Sequence, residues 1–85
     1  MTKHLSLDGY ERLQKVDNKI SIDVAALFKT DLGKEVLKYL RSITIESVNG
    51  AGVSDAHLRH MEGQRYIVGI IEQRIRHAQK VKENE

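Results

Sequence analysis

Apolar residues recur at three- and four-residue spacing through most of this chain, a pattern that predicts helices. Residues 8–20 place Leu13, Val16 and Ile20 on one narrow stripe. Ser21-Ile22-Asp23 interrupts it weakly. Ser21 or Asp23 can cap a short helix that holds Val24, Leu27 and Phe28. The two pieces read equally as one continuous helix or as two.

Thr30 is a good N-cap for the next helix, and Asp31 falls in its first turn, where the helix dipole favours an acid. Leu32, Val36, Leu37, Leu40 and Ile43 then follow at helical spacing, with Lys34, Lys38 and Arg41 opposite. Gly33, within the first turn, costs about 1 kcal/mol against Ala. A glycine placed there predicts that something packs close to the backbone. Ser42–Val48 alternates and is rich in β-branched residues, but a lone strand has no partner, so a helix end or an extended connection is expected.

The cluster Ser47-Val48-Asn49-Gly50-Ala51-Gly52-Val53-Ser54 is the one clear loop and divides the chain. Ser54 caps a final helix that runs from about residue 55 to 80, with Asp55 in its first turn. Met61, Gln64, Val68, Ile71, Ile75 and Ala78 approach a heptad seam. Leu58, Ile67 and Ile70 widen it beyond what one seam needs. Gly63 and Gly69 inside this helix are expected to allow close helix approach. The tail, residues 81–85, is expected to fray.

Composition narrows the picture. Eighty-five residues make one small domain, and a chain of this size buries only about 60% of the surface its unfolded form exposes. There is no tryptophan and one phenylalanine, so the core must be aliphatic and thin. Small aliphatic folds often gain stability from a partner surface. The absence of cysteine excludes disulfides, thiolate metal sites and a thiol nucleophile. No apolar run reaches bilayer length, and the first residues lack a signal-peptide core. A soluble protein made in the cytosol, with no membrane association, is expected.

The net charge is +2 with the signs interspersed. A nucleic-acid binder concentrates Lys and Arg on one face. The nearest approach to that is Arg74, Arg76, His77, Lys80 and Lys82, which also suits a solvated helix end facing the negative pole of its own dipole.

Candidate chemistry is sparse. His57 and His60 sit three residues apart on a helix, but a metal site needs three or four convergent ligands. Exposed polar histidines are the better reading. Gly50-Ala51-Gly52 before a helix lacks the rest of a phosphate loop. No serine has a base at a recognisable spacing, and capping accounts for Ser54. No cofactor or metal is expected, and no enzymatic activity. Arg65 is the least bland residue: it borders the most apolar stretch and can cap a neighbouring helix C-terminus, pair with an acid across a contact, or form an exposed pair with Glu62.

The string Phe28…Thr30-x-x-Gly33-Lys34-x-Val36-Leu37-x-x-Leu40, followed by a variable loop, Glu62-Gly63-Gln64-Arg65 and an apolar helix, resembles a family of small tailed-phage proteins with a member in a Bordetella podophage. The resemblance covers residues 24–77. It implies a non-enzymatic component of the phage particle, at the portal, head–tail junction or ejection apparatus. It also implies packing and capping roles for Phe28, Thr30, Gly33, Lys34, Val36, Leu37, Leu40, Glu62, Gly63 and Arg65.

The resulting expectation is an all-α domain. A helical hairpin over residues 24–80 has its long C-terminal helix packed on the central amphipathic helix. Residues 1–23 form an N-terminal helical arm that docks on a partner. The candidate contact face is Leu13, Val16, Ile20, Ile67 and Ile70, toward other virion proteins in multiple copies. The alternative is a phage DNA-binding packaging or regulatory factor, contacting DNA through Arg74, Arg76, Lys80 and Lys82.

Overall fold

A computed structural model of the chain describes residues 3–46, 52 and 54–83. The elements are β1 (Lys3–Leu5), β2 (Glu11–Leu13), α1 (Gln14–Phe28), α2 (Asp31–Ile43) and α3 (Asp55–Glu83). Most of the expected central loop, residues 47–51 and 53, lies outside the described residues.

The all-α expectation needs one correction. Residues 3–13 form an antiparallel hairpin, with Lys3 opposite Leu13 and Leu5 opposite Glu11. The reason is local. Gly9 takes φ 86°, a left-handed conformation open to glycine and foreign to a helix. The Asp8 carboxylate accepts the Tyr10 amide at 3.1 Å, and Ser6 N–H donates to Tyr10 O at 2.9 Å. An Asp-Gly turn thus competes with helix formation and wins. Leu13 belongs to the hairpin, and helix begins at Gln14. From there α1 is continuous through Ser21-Ile22-Asp23, so the expected boundary after residue 23 falls inside a helix.

Thr30 joins α1 to α2. Its hydroxyl donates to Leu27 O at 2.8 Å and accepts the Gly33 amide at 2.9 Å, serving one helix end and capping the next. Gly33 is buried at this corner. A β-carbon there would collide with the Leu27 carbonyl oxygen and approach the Phe28 Cα to 2.7 Å. The expected close backbone approach is therefore present. The corresponding expectation for Gly63 and Gly69 is not met, since a β-carbon at either meets open space.

The packing centre also differs from the expected hairpin. α3 packs chiefly along α1 and only lightly on α2. Ala25 and Ala78 are buried where these helices meet, and Ser21 is fully buried beside them. Small side chains at these positions let the backbones approach. α3 also runs on through Glu83, so residues 81–83 are helical. At about 1.5 Å per residue its 29 residues span roughly 43 Å, most of the 49 Å long axis.

The interior between α1 and α3 is polar. Arg74, 2% exposed, donates from Nη1 to the Asp17 carboxylate at 2.5 Å, to Asp17 O at 3.0 Å and to Ser21 Oγ at 3.0 Å. Its Nη2 lies 3.4 Å from the Asp8 carboxylate, which also takes both Nε and Nη2 of Arg12. His4 Nε2 lies 3.3 Å from Asp17, and Ser21 Oγ lies 2.6 Å from His77 Nδ1. Tyr66 donates to Asp8 O at 3.3 Å. Residues 3–23 are thus fastened to α3 of their own chain.

Hydrogen bonds from Arg12 and Ser6 hold the Asp8 carboxyl well below its usual range. Burial pushes Asp17 up, but the bonds from Arg74 and His4 and the charge of Arg74 outweigh it, and the net shift is downward.

Two predictions follow from this geometry. Gly33→Ala should destabilise the fold, because the obstructing atoms are backbone. Gly63→Ala should stabilise it by about 0.5–1 kcal/mol, by helix propensity alone. Urea melts of the two variants should move in opposite directions. In addition, the depressed Asp8 and Asp17 groups contribute stability that is present above their unfolded value of about 3.9 and lost as pH falls toward their folded values. Melting midpoints should be lower at pH 3 than at pH 5, with a shallower acid decline in Asp17→Asn, whose midpoint at neutral pH is already reduced.

Candidate interaction surface

α2 has a wide apolar face, and the structure divides it. Leu37 and Leu40 turn inward and are half-buried, while Gly33 is the helix's one buried residue. Leu32, Val36, Tyr39 and Ile43 form the outer stripe, exposed by 76%, 44%, 62% and 47%. Their spacing of four, three and four residues sets all four on one line along the helix. Leu27 and Phe28, at the end of α1, share a shallow groove with Leu32, Gly33 and Val36. At the other end, Leu40 and Ile43 share one with Gln64, Ile67 and Val68 of α3. The stripe is thus continuous from the α1–α2 corner to α3.

Two arginines hold α2 against α3. Arg41 Nη1 bridges both carboxylate oxygens of Glu72 at 2.7 and 2.6 Å. Arg65 Nε donates to the carbonyl of Thr44, the C-cap of α2, at 3.2 Å, and its Nη1 donates to Glu62 at 2.6 Å. Arg65 therefore combines two of the roles open to it from sequence: it caps a neighbouring helix and pairs with Glu62. A cation at a helix C-terminus is favoured by the dipole and satisfies a carbonyl that has no partner within the helix.

The residues proposed from sequence as one contact face do not come together. Leu13 is half-buried in β2. Val16 and Ile20 line a groove with Ile22 and Val81, rimmed by Lys15 and Lys19. Ile67 lies instead by the end of α2, and Ile70 is half-buried. Among the packing residues, Lys34 and Glu62 are exposed, and Gly63 is exposed with open space around it.

The proposed DNA-contact set loses Arg74, which is buried and saturated by Asp17, Ser21 and Asp8. Arg76, Lys80 and Lys82 remain exposed. Among the described residues no group of three or more His, Asp or Glu could hold a metal ion, and no helix is long and apolar enough to cross a membrane. His60 instead meets the Gln64 amide at 3.1 Å.

Sequence reasoning missed the polar network that fixes α1 and the hairpin on α3. Its trace was there: Asp17, Ser21 and Ala25 recur every four residues on α1, as do Arg74 and Ala78 on α3. These stripes carry few apolar residues, so a search for hydrophobic periodicity passes over them.

The sequence model of a family described as Bbp19-like phage protein matches residues 24–82, well over half of the chain. No curated protein and no solved structure gives a significant match. The matched span holds α2, all of α3 but its last residue, and the last third of α1. Asp8, Asp17 and Ser21, the partners of Arg74, lie before it.

Arg65→Ala should cost about 1.5–3 kcal/mol, because it removes a charged donor from the α2 terminus. Glu62→Ala leaves that bond in place and should change stability by less than about 1 kcal/mol. Equal effects in a urea denaturation comparison would refute the capping role.

Proposed function

As a member of the Bbp19-like phage protein family the chain is a phage protein, and we propose that it is a non-enzymatic interaction subunit of the phage particle. The observation that carries this reading is where its large apolar side chains lie. Ala25, Val68 and Ala78 are the buried hydrophobic residues among those described, and Leu32, Tyr39, Leu27 and Ile67 are more than half exposed. A surface of that kind marks association rather than a self-sufficient core. At the centre of the converging polar residues Ser21 is fully buried, and its hydroxyl is engaged by Arg74 and His77. Arg74, Asp17 and Ser21 brace the helices, while His4, Arg12 and Asp8 at the edge of the same network are partly exposed.

The radius of gyration is 15.4 Å, whereas a compact domain of this length has about 12 Å. An open, elongated shape suits a small subunit wedged between larger proteins. Its place in this reading is the portal, the head–tail junction or the ejection apparatus, and its localisation is the virion after synthesis in the host cytoplasm.

The second reading, a DNA-binding packaging or regulatory factor, retains a narrower basis. Arg76 and Lys80 flank a groove with Leu7, Gln73 and His77, and neither forms an ion pair among the described residues.

Mass spectrometry of purified mature particles, scaled to the major capsid protein, should find the chain at low, fixed copy number. Absence from particles, together with a salt-sensitive shift of duplex DNA, would favour the second reading.

A further inference from the structure

We propose that the outer stripe of α2 is a homotypic interface, on which a second copy of this chain docks antiparallel about a two-fold axis between Val36 and Tyr39. This deepens the reading of the chain as an interaction subunit, and rests on it for the surface but not for the particle.

The first support is area. Leu27, Leu32, Val36, Tyr39, Ile43 and Ile67 are each between 44% and 76% exposed. At roughly 100 Å² of apolar surface per large side chain, they offer a few hundred Å² on one continuous face. A standard interface needs about 800 Å² per partner, of which somewhat more than half is apolar. The stripe is of that order, and a contiguous apolar patch of this size is often a functional one.

The second is self-complementarity. The four residues Leu32, Val36, Tyr39 and Ile43 alternate at heptad spacing, so two such helices can interlock along them. Reversal about the axis sets Leu32 against Ile43 and Val36 against Tyr39. Each layer is then a pair, and the smaller Val meets the larger Tyr.

The third is charge. Glu35 edges the N-terminal half of the stripe, with Asp31 and Lys38 further back on the same flank of the helix. None of the three forms an ion pair within the described residues. An antiparallel copy carries the two Glu35 carboxylates away from each other and opposes the two helix dipoles. A parallel copy sets like charges and like dipole ends together.

Sedimentation equilibrium of the full chain should give a dimer at micromolar concentration. Val36→Glu and Tyr39→Glu should each weaken it at least tenfold with the helical circular dichroism unchanged, and Val16→Glu, in the other groove, should not. A wild-type chain that stays monomeric at ~100 µM, or a dimer indifferent to both α2 variants, would overturn the proposal. The natural absence of cysteine makes orientation directly readable. Leu32→Cys mixed with Ile43→Cys should cross-link on oxidation, and neither should cross-link alone. Efficient cross-linking of Leu32→Cys to itself would refute the antiparallel arrangement. A dimer with these properties that is absent from particles would remove the virion reading and leave this interface standing.

Discussion

The fold turns on one buried guanidinium. Arg74 lies between α1 and α3 with almost no access to water, and its cost of desolvation must be met by fixed acceptors. Asp17 and Ser21 supply them from α1, and Asp8 from the hairpin turn. Each acceptor is in turn held by another group: Asp8 by Arg12 and Ser6, Asp17 by His4, Ser21 by His77. No buried side-chain nitrogen or oxygen among the described residues is left without a partner. A pair of this kind contributes little net stability against an apolar substitute, yet it penalises other arrangements heavily. It therefore acts mainly to fix the register of α1 on α3.

That choice of core has a consequence for the surface. With charge and small side chains occupying the α1–α3 interior, the larger aliphatic residues are displaced outward. α2 receives little of the packing; it is held at its start by Thr30 and Gly33 and near its end by Arg41 and Arg65. These attachments leave its apolar stripe facing away. The same residues that would form the core of a self-contained helical domain are left at the surface, and that exposure is the basis of the proposed association.

Much of the local structure was legible in the sequence. Thr30 and Ser54 cap the helices that follow them, as their side chains and positions imply. Gly33 marks a tight backbone contact, and Arg65 reaches a helix terminus. Three features were misread for definable reasons. Residues 8–13 carry apolar spacing compatible with a helix, but the Asp8-Gly9 turn dominates it. Gly63 and Gly69 look like packing glycines, but nothing approaches them. Arg74 looks like one more cation in a basic helix end, and nothing within its own helix reveals that Asp17, 57 positions earlier, awaits it.

The sequence by itself determined the capped starts of α2 and α3, that the core would be thin, and that residues 24–82 carry the pattern of a phage protein family. Caps, turns and composition act over a few residues or over the whole chain, so a single sequence records them. The tertiary structure alone decided which face of each helix turns inward. Periodicity defines a stripe but not its neighbour. α1 met α3 through Asp17, Ser21 and Ala25 because Arg74 required oxygen partners, and that requirement left Leu32, Val36, Tyr39 and Ile43 in water.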